Sequence, residues 1–402
     1  METKIIKEKI SEAAKLIAAG ELVGVPTETV YGLAGNGLDA DAVEKIYEVK
    51  GRPAVKPLAL MVPGVSAMTK YCENVPQQAK VLARKFWPGP LTIVLSAKDI
   101  VPEIVRAGGD TVGLRCPDHP LTQELLKKAK LPFAAPSANP SGEPSPKNAE
   151  TVMRYFDGKI AAVIDGGECG IGRESTLIDM SAAPYRILRQ GALSESDIRK
   201  TLAGELTVIG ITGGTGCGKT TALLELQKQG ALIIDCDALY HEMLESNADM
   251  LNDIDAAFPE TVVDGRLDRK ALGAVVFSNE PALLELNRIT HHYIGLEVER
   301  LLEDWAMAGG KLAAIDAIAL MESGLDKRCK TVVGVIADRT KRIERIMRRD
   351  NISREYAMMR VNAQYPNEYF EKNCEHILRN DGTEKEFEKA CKKLFKEVLK
   401  NG

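Results

Sequence analysis

The sequence predicts an α/β protein built as two domains, and three observations carry that reading. Short apolar strands alternate with amphipathic helices along all 402 residues, the pattern of helices laid against sheets. A glycine-rich stretch, GITGGTGCGKTTALL at 210–224, stands in the middle of the chain. Such a loop ordinarily follows the first strand of its domain. Just before it, SESDIRKTLAGEL closes a helix at Gly204 and LTVIGITGG opens a strand. The boundary therefore falls near 200–206, giving domains over 1–205 and 206–402, within the usual range of about 100–200 residues each.

In the first domain, METKIIKEKISEAAKLIAAG alternates charge with apolar residues at helical spacing, which predicts an amphipathic helix over 5–19 ended by Gly20 rather than a signal peptide. Further helices are expected near 39–50, 76–86, 119–130 and 194–203, and strands near 21–25, 58–62, 91–96, 111–115, 132–135, 161–164 and 176–179. VPTETVYGLAGNG, 25–37, reads as a strand end, two threonines around Glu28, and glycines making a tight turn. PSANPSGEPSP, 136–146, is rich in proline and serine. Strands flank it closely, so it reads as a binding loop inside a domain rather than a linker. In the second domain, strands are expected near 207–211, 231–234, 312–316 and 331–336, and helices near 219–229, 280–306, 339–350, 353–363 and 384–399.

Composition narrows the function classes. The chain is 45% hydrophobic and 27% charged, with net charge −4. The halves on either side of Glu205 carry +1 and −5. Neither is a polycation, so stable nucleic-acid binding by broad electrostatics is not expected. The eight cysteines are scattered with no C-x-x-C pair, and no apolar run approaches membrane-spanning length. A reduced, cytoplasmic protein is the expectation.

Gly213, Gly218, Lys219 and Thr220 fit G-x-x-x-x-G-K-[ST], with a strand before and a helix after. Glycines let the backbone curl so that N–H groups face phosphate oxygens, and the helix N-terminus adds partial positive charge. The loop Gly213, Gly214, Thr215, Gly216, Cys217, Gly218, Lys219, Thr220 and Thr221 would hold the phosphates of a nucleotide. Lys219 would neutralise the β- and γ-phosphates and Thr220 would ligate Mg2+. The next strand ends in DCD. Asp235 or Asp237 would emerge at the carboxyl edge of the sheet, as a base, a magnesium partner or a helix N-cap. Seven arginines lie in 339–360; arginines on a helical lid can close over transferring phosphates, or can form a solvated face.

In the first domain the hydroxyls around Glu28 could bind a small polar ligand or satisfy their own turn. KGRPAVKP, 50–57, places Lys50, Arg52 and Lys56 in a Gly/Pro loop. Such a loop can hold phosphates or a carboxylate, or stay solvated.

The second half resembles the dephospho-coenzyme A kinase family through GITGGTGCGKT, IIDCDALYHEML, GRLDRKALGAVVFSN, LLELNRITHHYI, IDAIALMESGL and RRDNIS. The resemblance implies a P-loop kinase with a parallel sheet and a helical lid. It implies ATP-dependent phosphorylation of the ribose 3'-hydroxyl of dephospho-coenzyme A, with Asp237 as base and Arg345 and Arg349 as lid residues. His291-His292 stands where the family usually has His-Pro, which leaves the local backbone open.

The first half resembles the YrdC family of threonylcarbamoyl-adenylate synthases through VPTETVYGLAGNG, KGRPAVKP, FWPGPLTIVL, DTVGLRCPDHP, AAPSANPSGEPSP, GRESTLIDM and RILRQGA in that order. It implies a twisted mixed sheet with helices, and synthesis of L-threonylcarbamoyladenylate from L-threonine, bicarbonate and ATP. Downstream threonylcarbamoyl-transfer proteins would then modify tRNA. Thr29, Arg115 and Ser175 would hold threonine. Lys50, Arg52, Lys56, Thr111, Ser137, Asn139, Ser145 and Arg189 would surround the nucleotide. The expectation is a bifunctional transferase. Three rival readings are an RNA-binding or regulatory first half, a different small-molecule kinase in the second, for example for nucleoside monophosphates, and a purely structural fusion partner.

Overall fold

The computed structural model describes residues 2–263 and 265–400. Two compact units emerge: Met1–Gly204 with Met307–Gly309, and Glu205–Ala306 with Gly310–Gly402.

The first unit is built on a mixed sheet. Its strands are β1 (Lys4–Ile6), β2 (Val23–Val25), β3 (Gly32–Asn36), β4 (Ala59–Met61), β5 (Leu91–Ser96), β6 (Thr111–Arg115), β7 (Phe133–Ala134), β8 (Ala162–Ile164), β9 (Thr176–Asp179) and β10 (Arg186–Arg189). They lie in the order β1-β8-β2-β3-β7-β4-β6-β5-β9-β10. β8 runs parallel to β1 and β2, β4 to β6 and β5 to β9; the other pairs are antiparallel. One core cluster joins Ile10, Ala13 and Ile17 of the first helix to Val23, Val25, Leu125, Phe133 and Ile164.

Two expectations are corrected here. The first helix begins at Ile10 and spans Ile10–Ala18, because Lys4–Ile6 pairs with Ala162–Ile164 as a strand. The Thr3 hydroxyl anchors that strand by donating to the Ile160 carbonyl at 2.8 Å. The glycines of YGLAGNG do not make a turn at once: Gly32–Asn36 is a strand. A Cβ on Gly35 would stand 2.9 Å from Leu22 Cδ2, and one on Gly37 2.5 Å from Leu60 Cδ2. These glycines let neighbouring chain segments approach closely.

The 136–146 segment is strapped along β3. Leu33 N–H donates to the Pro136 carbonyl, Ala138 N–H to that of Tyr31, and Tyr31 N–H to that of Pro146. A further backbone bond runs from Ser141 N–H to the Lys50 carbonyl, and Asn148 then caps the helix Ala149–Phe156 by accepting from Thr151 N–H.

The second unit holds β11 (Thr207–Thr212), β12 (Leu232–Asp235), β13 (Val262–Val263), β14 (Arg266–Leu267), β15 (Leu312–Asp316), β16 (Thr331–Ile336) and β17 (His376–Arg379). Five form an all-parallel sheet in the order β12-β15-β11-β16-β17, and β13 and β14 make a separate antiparallel pair. β16 is buried along its whole length, as expected where helices cover both faces of a parallel sheet. Helices Lys219–Lys228 and Glu384–Lys400 seal one face through Leu223, Leu226, Phe387, Cys391 and Phe395. Helices Arg339–Asp350 and Arg354–Asn362 join through Ile343, Ile346, Ala357 and Val361. The helix Glu280–Met307 runs unbroken through His291-His292, so the local backbone there is helical.

All eight cysteines are free. Among the described residues no helix is long and apolar enough to cross a membrane.

Candidate active sites

In the second unit the central strand β11 delivers the chain into the glycine-rich loop, which ends where helix Lys219–Lys228 begins. This order follows from sequence: an apolar strand buried on both faces, glycines free to curl, then good helix formers. The loop lines a cavity of about 600 Å³ together with Asp237, Asp316 and Arg349. Of the nine loop residues expected to hold phosphates, Gly214, Thr215, Gly216, Gly218, Lys219 and Thr220 line it. Gly213 and Cys217 are buried behind it, and Thr221 N–H bonds back to the Gly218 carbonyl.

The two aspartates of DCD divide the roles left open above. Asp235 caps the following helix, its Oδ1 accepting from Asp237 and Ala238 N–H at 3.0 Å each. Asp237 carries no such duty. It lines the phosphate-loop cavity and also an adjoining, mostly apolar cavity of about 280 Å³ with Tyr240, Phe277, Leu286 and His291. Partial burial raises the Asp237 pKa above its usual value, and nearby Lys219 opposes the shift. Burial also lowers the pKa of His291.

Asp316, which the sequence reading did not single out, is the other acid here. It ends β15 beside β11, with Asp316 in register with Ile211. Its Oδ1 is buried, without a hydrogen-bond partner, and 3.6 Å from Lys219 Nζ. Burial pushes its pKa up to about 6, with Lys219 as the main opposing influence. The signal that could have found it is the one used for Asp235: an apolar strand, here LAAID, ending in an acid at the sheet's carboxyl edge.

The arginines divide as well. Arg345, Arg348, Arg349 and Arg360 line the cavity. Arg345 also holds the loop, donating to the Gly216 carbonyl at 3.2 Å and the Asn380 carbonyl at 3.0 Å. Arg349 is paired with Asp350 at 2.6 Å, and Asp350 with Arg360 at 2.6 Å. Arg339 bonds the Asn362 side chain.

In the first unit a cavity of about 320 Å³ opens against β4, β5, β6 and β9. Arg52, Thr111, Arg115, Ser137, Ser175 and Arg189 line it, so six of the expected residues converge from five separate stretches of chain. The others stand around it. Thr29 is fully buried and accepts from Arg115 Nη2 at 2.7 Å. Ser145 donates to Glu174 Oε1 at 3.2 Å. Asn139 is buried, its Nδ2 donating to the Pro140 and Glu143 carbonyls, its Oδ1 without a partner.

Lys50 and Lys56 do not line the cavity. Lys50 is 3% exposed and its ammonium donates to the Ser137 and Asn139 carbonyls. It fastens the Pro-rich loop, and burial pulls its pKa down to about 8, helped by Arg52. Lys56 is exposed; its carbonyl accepts from Arg52 Nε at 3.3 Å. Two acids that sequence reasoning missed pair the arginines. Glu28 lies 2.7 Å from Arg115, with 13% and 10% of the side chains exposed. Glu174, which lines the cavity, pairs with Arg189. Spacing gives no signal for these pairs, because the partners lie 87 and 15 residues apart.

A parallel sheet whose central strand feeds a G-x-x-x-x-G-K-T loop, facing two carboxylates, defines the second unit as a P-loop phosphotransferase fold. The first unit is a mixed-sheet domain with a cationic cavity built from its strands and the loops between them. Two family models match the chain. The Sua5/YciO/YrdC model, described as "Telomere recombination", covers residues 15–191, and the CoaE model, described as "Dephospho-CoA kinase", covers 207–386. A Pyrococcus abyssi threonylcarbamoyl-AMP synthase is 45% identical over 205 residues, 51% of this chain and 60% of its own length. A Mycobacterium tuberculosis protein named "Putative threonylcarbamoyl-AMP synthase" is 36% identical over 194 residues, 48% of this chain and 88% of its own. A dephospho-CoA kinase from Geobacter sulfurreducens is 34% identical over 192 residues, 47% of this chain and 98% of its own. The chain belongs to the threonylcarbamoyl-AMP synthase family in its first half and to the dephospho-CoA kinase family in its second. It spans only 60% of the length of the Pyrococcus synthase.

Proposed function

We propose that the chain is a bifunctional enzyme: residues 1–205 make L-threonylcarbamoyladenylate, and residues 206–402 convert dephospho-CoA to CoA. The observation that carries the kinase half is Asp237, which lines both the phosphate-loop cavity and the apolar cavity beside it. A ribose placed at that junction has its 3'-hydroxyl between a base and the γ-phosphate. The hydroxyl oxygen attacks the γ-phosphorus, Asp237 takes the proton, and the bond to the β–γ bridging oxygen breaks to release ADP. Lys219 and Arg349 offset the charge of the transferring group.

Mg2+ fits the donors present. Asp316 offers a buried carboxylate oxygen without a hydrogen bond, and Thr220 offers a hydroxyl on the same cavity. Both are the hard oxygen ligands that Mg2+ prefers. When bound, the ion would neutralise β- and γ-phosphate charge.

In the synthase half, threonine and bicarbonate condense with loss of water to a carbamate. Its carboxylate oxygen attacks the α-phosphorus of ATP and pyrophosphate leaves. The carbamate is already ionised, so positioning against Arg52 and Arg189 suffices without a general base. Arg115, backed by Glu28, suits the threonine carboxylate. Lys50 and Asn139 serve by shaping the loop that presents Ser137. The product would pass to proteins that modify tRNA, in a cytoplasmic setting. Mass spectrometry of products formed from ATP, threonine, bicarbonate and dephospho-CoA together tests the reading. Threonylcarbamoyladenylate and CoA are both expected; absence of either product removes the corresponding half.

A further inference from the structure

Thr215 is engaged from behind the phosphate loop at each of its polar groups. Its N–H donates to Gln364 Oε1 at 2.8 Å, and its carbonyl accepts from Arg342 Nε at 3.1 Å. Its hydroxyl accepts from Gln364 Nε2 at 2.8 Å. Arg342 Nη2 also donates to Gln364 Oε1 at 2.7 Å, which closes the ring of bonds. Arg342 is 4% exposed. The loop glycine beside this ring has no room for a side chain: a Cβ on Gly214 would stand 2.1 Å from Arg342 Nη2.

The pattern continues along the loop. The Gly216 carbonyl accepts from Arg345 Nη1 at 3.2 Å and the Cys217 carbonyl from Asn380 Nδ2 at 2.9 Å. Three successive carbonyls are thus held by three side chains. A loop that offers N–H groups to an anion has to turn its carbonyls away, and donors behind it fix that orientation before the ligand arrives. Arg342 and Gln364 differ from Asn380 in where they come from. Arg342 lies on helix Arg339–Asp350, and Gln364 follows helix Arg354–Asn362. These two helices pack on each other and carry the arginines that line the cavity. Gln364 itself does not line that cavity; with Arg339 and Arg342 it lines a separate one of about 480 Å³.

We propose that Gln364 is a positioning residue for the nucleotide. It locks the Thr215 peptide and ties the arginine-bearing helices to the phosphate loop, so that ATP affinity depends on a side chain outside the phosphate cavity. The proposal rests on the kinase reading of this unit.

The test uses the full chain, with steady-state kinetics of CoA formation for Gln364→Leu and Gln364→Glu. Leucine keeps the volume and removes all three bonds to Gln364. Losing one or two net hydrogen bonds from a preorganised loop raises the KM for ATP by about 10-fold, while the KM for dephospho-CoA stays within about 2-fold. Glutamate keeps the acceptor for Thr215 N–H and Arg342, and the Thr215 hydroxyl can turn to donate to it, so the KM for ATP returns to within about 3-fold of the unmodified chain. A purely structural role predicts otherwise: both KM values and kcat would change together with a lowered melting temperature, and that result overturns the proposal. So does an unchanged KM for ATP in Gln364→Leu. If the unmodified chain forms no CoA, the kinase reading fails and takes this assignment with it. A working kinase indifferent to Gln364→Leu removes the assignment alone.

Discussion

The two candidate sites are built in opposite ways. In the second, one contiguous loop lines the cavity with a lysine at a helix N-terminus, and side chains behind it fix its shape. Among the described residues of the first there is no such loop. Arg52, Arg115, Ser137, Ser175 and Arg189 arrive from separate stretches, and two of the arginines rest on acids. The contrast teaches that backbone recognition is local in sequence, while side-chain recognition is assembled by the sheet. A backbone cradle tolerates little change at its glycines. A side-chain cavity distributes the work, so single substitutions there should cost less.

That difference sets the size of the expected effects. Asp237→Asn keeps the shape of the kinase cavity and removes the carboxylate proposed as its base. CoA formation should fall by about 10²- to 10⁴-fold in kcat, measured by a coupled ADP assay. A rate within tenfold of the unmodified chain would move the base elsewhere, with Asp316 the next acid on the cavity. Arg52→Ala removes one of several cations from the synthase cavity. Threonine-dependent pyrophosphate release should drop by roughly 10- to 100-fold with CoA formation unaltered. A normal rate would take Arg52 out of the site.

The smallest effect is on stability. The folded-state pKa of Asp316 is raised to about 6, against about 3.9 in an unfolded chain. The folded state therefore binds the extra proton, and the stability this gives is present at low pH and lost as pH rises through 6. Asn cannot titrate. Relative to Asp316→Asn, the unmodified chain should lose on the order of 1 kcal/mol of stability between about pH 5 and pH 7.5, seen in urea midpoints. A gap that stays constant with pH would mean the carboxyl is not held up by burial.

Legibility in the sequence followed the same divide. Buried parallel strands such as Leu312–Asp316 and Thr331–Ile336 stood out as apolar runs, and their bounds agree with the structure. The short edge strand Arg186–Arg189 did not, because RILR is half charged and largely exposed. Ile5 and Ile6 fall in the expected helix because their spacing suits either element, and only the pairing of Lys4–Ile6 with Ala162–Ile164 decides. The phosphate loop, Asp235 and Asp237 are readable from local chemistry, while Asp316 at the end of LAAID is passed over. Gln364, Arg342 and Asn380 were not, since their targets lie more than 120 residues away and no spacing rule connects them. Lys50 shows the limit from the other side. A lysine in a Gly/Pro loop suggested a phosphate ligand, but its ammonium is spent on two carbonyls of the loop it fastens.

The central claim is that one chain carries two independent nucleotide sites. Lys219→Ala, assayed for both products in one reaction, tests it most directly. CoA formation should be abolished while threonine- and bicarbonate-dependent pyrophosphate release continues at the rate of the unmodified chain. Loss of both activities in the folded variant would contradict it.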